Sequence, residues 1–185
     1  MRQLVLAWVL LCCGAIPAWA TTAENGFSQK SAEASLTLEL RTIARVDVSA
    51  LWFTDSEGDR MPTAELYLTQ YNRQGYPRII DGFTGHTPQL QAVDLDGDGQ
   101  VEILLRYKAG GHQTLMNVYR LKGNLLRRLP SDDLVSDRDG IELQYTSAGE
   151  PRIRVISGRD TNTDKALLVT TDYRLQDGKL VEAKD

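Results

Sequence analysis

The stretch VDLDGDGQVEILLRY, Val93–Tyr107, decides between two folds. It places carboxylates at Asp94, Asp96, Asp98 and Glu102, with Gly97 and Gly99 between them, directly ahead of an apolar run. An alternating D-x-D-x-D arc turns successive carboxylates inward, which suits a hard dication that takes six to eight oxygen ligands. In an EF-hand the twelfth loop position is a bidentate Glu and the chain leaves as a helix. Counted from Asp94, that position is Leu105, and Val101, Ile103, Leu105 and Tyr107 alternate with other residues. A period of two is a strand's period, so the exit is a strand and the helical fold is excluded.

The same pattern extends outward from this stretch. Leu36, Leu38, Leu40, Ala44, Val46, Val48, Ala50 and Trp52 all stand on even positions, which predicts strand, as one or two strands with a break near Thr42 to Ala44, and the even face in the core. Four further segments share one plan of extended run, glycine turn and extended run: AELYLTQYNRQGYPRII, TLMNVYRLKGNLLRRL, IELQYTSAGEPRIRVI and LLVTTDYRLQDGKLVEA. Gly75, Gly123, Gly149 and Gly178 mark their turns, each short enough for a β-hairpin. The expectation is an all-β protein, an antiparallel meander of hairpins curled as a sandwich or barrel or left as a partial propeller.

Two other stretches echo the acidic loop in weaker form. DSEGDRMPTAELYL from Asp55 keeps acids at its first, third and fifth positions but has Arg60 where the turn glycine would stand. DTNTDKALLV from Asp160 has Asp160, Asn162 and Asp164 followed by Lys165. Their unequal spacing makes them at most a degenerate repeat.

Residues 1–20 carry one Arg, an apolar run from Leu4 to about Ala15, and Ala18-Trp19-Ala20, the pattern of a secretory signal peptide with its cleavage site. The run is too short to span a bilayer, so the expected protein is periplasmic or secreted and not membrane-spanning. Both cysteines, Cys12 and Cys13, fall inside that segment, so no disulfide is expected. The residues ahead of them are not the small ones a lipid anchor uses. Residues 21–34 read as a flexible polar leader and 35–185 as a single β domain, the default for a chain of this size. With 21 basic and 25 acidic side chains the net charge is −4, which gives no basic stripe for nucleic acid. The cluster Arg120, Lys122, Arg127 and Arg128 reads as a solvated strand face.

The segment DLDGDGQVEI resembles the calcium loops of the FG-GAP and VCBS repeats of integrin-type β-propellers, whose pattern is D-x-D-G-D-G-x-x-[DE]. The resemblance implies calcium held by Asp94, Asp96, Asp98, Gln100 through its backbone carbonyl, and Glu102. RYKAGGHQTLMNVYR, Arg106–Arg120, is similar to small secreted bacterial proteins in which such a strand is followed by a Gly-Gly turn and a strand ending in Tyr-Arg; the cysteine pair often found there is absent. The residues support the same ion independently, because four carboxylates in so short a stretch repel one another unless a cation sits among them. Extracellular modules of this kind bind calcium at roughly 10⁻⁴ to 10⁻³ M.

No catalytic residues are assigned. The two histidines, His86 and His112, both lie in glycine-containing stretches read as loops, with neither the spacing nor the third ligand of a zinc site. No nucleophile elbow, P-loop or dinucleotide fingerprint is present. The expected role is a binding or interaction module with a structural calcium, its partner a protein or glycan of the envelope or exterior. Two alternatives stay open: an envelope hydrolase using His86, His112 and nearby carboxylates, and a lysozyme-type hydrolase inhibitor that presents Ile79 to Gln89 as a protruding loop.

Overall fold

The structure is a computed structural model that describes residues 27–38, 40–54, 60–109, 113–131, 134–137, 140–159 and 167–183. Residues 1–20 and the acidic echoes at 55–59 and 160–164 lie outside the described residues, as does His112. All regular structure described is β-strand. No helix among the described residues is long and apolar enough to cross a membrane.

The first strands form an antiparallel meander: β1 (Phe27–Thr37), β2 (Ile43–Thr54), β3 (Arg60–Asn72), β4 (Pro77–Val93), β5 (Glu102–Ala109), β6 (Gln113–Lys122) and β7 (Leu125–Arg128) lie side by side in chain order. A short β8 (Val135–Ser136) pairs with the start of β6, beside the edge that β7 occupies further along. A separate sheet holds β9 (Ile141–Tyr145), β10 (Pro151–Arg159), β11 (Leu167–Gln176) and β12 (Lys179–Glu182), again as an antiparallel meander. Strand β1 begins at Phe27 and pairs from there with β2, so ordered pairing reaches into the residues read as a leader. Backbone hydrogen bonds alone suffice for this, because ladder pairing does not require apolar side chains.

The turns follow from local chemistry. Asp177 and Gly178 both have positive φ, 52° and 72°, between the paired Gln176 and Lys179, the I′ pattern that matches strand twist. Gly123 at φ 67° opens the two-residue link between Lys122 and Leu125. The even-face expectation holds for Val46, Val48 and Ala50, which are buried. Trp52's side chain lies outside the described residues. Ile43 joins them from an odd position because the β2–β3 register slips between Ile43 and Arg45.

The first sheet rolls over until β1 approaches β4, but it does not close into a barrel. Inside the roll, Val46, Val48, Leu66 and Leu68 pack with Ile103, Leu105, Tyr107 and Tyr119. The roll needs a corner in β4, whose register with β5 jumps between His86 and Gln89, with Thr87 at φ 52°. Ile79–Gln89 is therefore strand rather than protruding loop, paired first with β3 and then with β5. Its Gly85 allows close approach rather than a turn, since an added Cβ would lie 2.6 Å from both the Lys108 carbonyl and the Tyr107 ring.

The opposite face of β5 and β6 is buried as well. Leu104, Met116 and Val118 pack with Ile141, Ile153, Val155 and Leu175 of the second sheet. Strands β5 and β6 thus form a central layer, with the roll on one side and the second sheet on the other. Arg106 fastens that second sheet by donating Nε–H to the Ile141 carbonyl at 2.9 Å. Within it, Arg154 grips Asp172 bidentately across β10 and β11, at 2.7 and 2.8 Å.

Two outcomes follow. Gly85→Ala should destabilise the protein by about 2 kcal/mol or more in urea melts, because one of the atoms it meets is backbone. The hydrogen bond from Arg154 holds the Asp172 carboxyl below its ordinary pKa, with the arginine's charge assisting and partial burial opposing. Its contribution is then present above the ordinary aspartate pKa and is lost as pH falls through the lowered one. Urea melts over a pH series should show wild type ahead of Asp172→Asn by about 1 kcal/mol near neutrality, with the gap closing in acid.

Candidate metal centre

Residues 94–101 connect β4 to β5, and their ends are clamped by the pairing of Val93 with Glu102. The turn is built by its own aspartates. Asp94 accepts the Gly97 N–H at 2.8 Å on one oxygen and the Gly99 N–H at 2.9 Å on the other. Asp98 accepts the Gln100 N–H at 2.7 Å and the Gln100 side-chain amide at 3.2 Å. Gly97 and Gly99 have φ of 73° and 85°, values a side chain would oppose. Leu95 is turned into the core shared with the second sheet, which pins the start of the loop.

Asp94, Asp96 and Glu102 each bring a carboxylate oxygen to within 4.8 Å of one another. Asp98 belongs to the loop but not to this group; its carboxylate is turned toward Gln100. Gln100 meets Asp98 through both its main-chain and side-chain N–H. Glu102 is the most enclosed of the predicted ligands, with no exposed surface, and accepts the Leu95 N–H at 2.8 Å. Strand β5 thus brings a buried carboxylate up to those of the loop.

A cation of the protein's own enters the same cluster. Arg120, directly opposite Glu102 in the β5–β6 ladder, donates Nε–H to Glu102 at 2.6 Å and Nη2–H to Asp96 at 2.6 Å, with Asp98 at 3.5 Å. This corrects the assignment of Arg120 to a solvated face; Lys122, Arg127 and Arg128 do lie at the exposed margin. Cross-strand residues share a face, so the pairing that buries Glu102 delivers Arg120 to it. No basic residue interrupts the loop itself, and the neutralising charge comes from across the ladder.

One guanidinium does not balance this many carboxylates. Burial raises the pKa of Glu102, and the Leu95 N–H and Arg120 only partly offset it. Burial alone would lower the pKa of Arg120, but hydrogen bonds to Asp96 and Glu102 outweigh that and raise it. The causes differ: loss of solvent dominates at Glu102, with the Asp96 charge a smaller repulsion, whereas the surrounding carboxylates act on Arg120. The arginine gains from its surroundings while the deepest carboxylate is strained by them.

The histidines do not form a described site. His86 is in strand β4, not in a loop, with Nδ1 2.9 Å from the Thr87 hydroxyl.

Arg120→Ala should cost about 3 kcal/mol in chelator, measured by urea unfolding, because it strands a fully buried carboxylate. No protein-family model, no curated protein and no solved structure gives a significant match to this chain. The likeness of the Asp94–Glu102 loop to FG-GAP and VCBS repeats therefore rests on the loop's own residues.

Proposed function

We propose that this protein is a secreted or periplasmic β module that binds calcium at Asp94, Asp96 and Glu102, with Asp98 and the Gln100 carbonyl completing the shell, and serves as a binding or interaction protein. The observation that carries the metal reading is the convergence of three carboxylate oxygens within 4.8 Å. Supporting it, the cluster stays anionic after Arg120 is counted, and oxygen ligands on a glycine-shaped turn favour calcium over the smaller, octahedral magnesium. In this reading Arg120 is the counter-ion of the metal-free form, and calcium competes with it for Asp96 and Glu102.

The role of the ion is structural. Residues 94–101 are tied to the central layer through Leu95 and Glu102, so occupancy of the loop is coupled to the packing of the second sheet against β5 and β6. A ligand that binds only the folded state stabilises it by mass action. No observation favours the hydrolase or the inhibitor over a binding module.

Thermal melting in chelator and in about 10 mM calcium tests the reading. With affinity near that of extracellular modules, the melting temperature should rise by about 5 °C. Arg120→Gln should start from a lower temperature in chelator and gain more from calcium than wild type does, because the competing charge is gone. Equal melting temperatures with and without calcium in both proteins would sink the metal reading.

A further inference from the structure

Away from the acidic loop, the mouth of the rolled sheet holds a groove of opposite character. Its volume is 480 Å³, and it is lined by Thr42 just ahead of β2, the β3–β4 turn, and the β6–β7 link at Asn124 and Leu125. These segments are distant in sequence and are held together by specific bonds. Buried Gln70 donates its amide N–H to the Asn124 carbonyl at 2.9 Å and accepts the Leu126 N–H at 3.0 Å, acting as a ladder rung between β3 and the β6–β7 hairpin. Arg73 donates Nε–H to the carbonyls of Leu40 and Arg41, at 3.1 and 3.2 Å, which fixes the β1–β2 connection. Asn72 holds the β3–β4 turn by accepting the N–H groups of Gln74 and Tyr76, both at 3.0 Å.

The lining has two guanidinium groups, Arg73 and Arg78, and no Asp or Glu, in a chain whose net charge is −4. The side chain of Arg78 makes no hydrogen bond or ion pair among the described residues and is exposed. Asn72, Gln74 and Asn124 line the same groove, with Tyr76, 68% exposed, next to exposed Pro77. A large exposed aromatic next to polar groups is a common feature of ligand sites.

We propose that this groove binds a carboxylate-bearing saccharide. The guanidinium forks match a carboxylate in shape and charge, which a lysine would not. The amides offer both donors and acceptors, the pairing that sugar hydroxyls need. The Tyr76 and Pro77 ledge is suited to the apolar C–H face of a pyranose ring. A bare inorganic anion would use the arginines and leave the amides and the aromatic idle. The groove's volume is in the range of small-ligand sites and fits one to two sugar rings. The proposal gives the binding-module reading a ligand class, and it rests on that reading but not on the calcium.

The test uses the chain in chelator throughout, so a failure of the calcium reading leaves the result unaffected. Trisaccharides of galacturonate and mannuronate, neutral maltotriose and inorganic phosphate are titrated by calorimetry against wild type, Arg78→Gln and Tyr76→Ala. Both substitutions are at exposed side chains, and matching melting curves show that the variants are folded. A uronate trisaccharide should bind wild type, with Arg78→Gln weakening it about tenfold or more and Tyr76→Ala about threefold or more. Maltotriose should bind about tenfold more weakly than the uronate. The proposal is overturned if neither uronate binds, if maltotriose binds equally well, if Arg78→Gln has no effect, or if phosphate binds as tightly as the uronate and is indifferent to Tyr76→Ala.

Discussion

The ion pair between Arg120 and the fully buried Glu102 is the constraint around which the centre of this protein is organised. A carboxylate without exposed surface is sustainable only if both of its oxygens are engaged, one here by the arginine and the other by the Leu95 N–H. The second bond fixes the first residues of the acidic loop, and the side chain of Leu95 then joins the core beneath the second sheet. One buried charge thereby links a surface turn, the β5–β6 ladder and the interface between the two sheets.

That linkage explains why the protein places this acidic loop beside a strand buried on both faces. On one face of β5, Ile103, Leu105 and Tyr107 fill the roll; on the other, Leu104 packs under the second sheet while Glu102 and Arg106 stand at its margins. The polar ends of this face do separate work. Arg106 secures the second sheet at Ile141, and Glu102 secures the loop. A cation bound in the loop would therefore act on the packing of the domain, and the surplus of carboxylates over arginine gives it something to neutralise.

Much of the fold was legible in the sequence because glycine turns and period-two patterns are local. The hairpins at Gly75, Gly123, Gly149 and Gly178 all form, and the even face of β2 is the buried one. What escaped were features set by register and by two-sided burial. A two-residue turn on Gly110-Gly111 would place Arg120 opposite Val101, whereas Ala109 pairs with Gln113 and, in the same register, Glu102 pairs with Arg120. A slip of one residue reverses every face, so the arginine's place in the acidic cluster could not be read without that register. Alternation likewise identified only the odd face of β5, because the buried Glu102 looks like a solvent-facing residue. Gly82 and Gly85 suggested a loop around His86, but one of them allows β4 to pass close to β5, and the strand continues. Arg73 and Arg78 flank one local hairpin turn, but the groove also needs Thr42, Asn124 and Leu125 from other segments, whose arrival beside that turn no local pattern encodes.

The central claim is that the acidic loop is a cation site whose occupant, without metal, is Arg120. Nitrogen-resolved NMR of the Arg120 Nε–H group during a calcium titration addresses it most directly. The account predicts a protected, shifted Nε–H resonance in chelator that moves toward the position and exchange rate of an exposed arginine as calcium saturates the loop. A resonance that stays protected and unmoved through saturating calcium would contradict it, and would leave Arg120 as the permanent counter-ion of a turn that takes no metal.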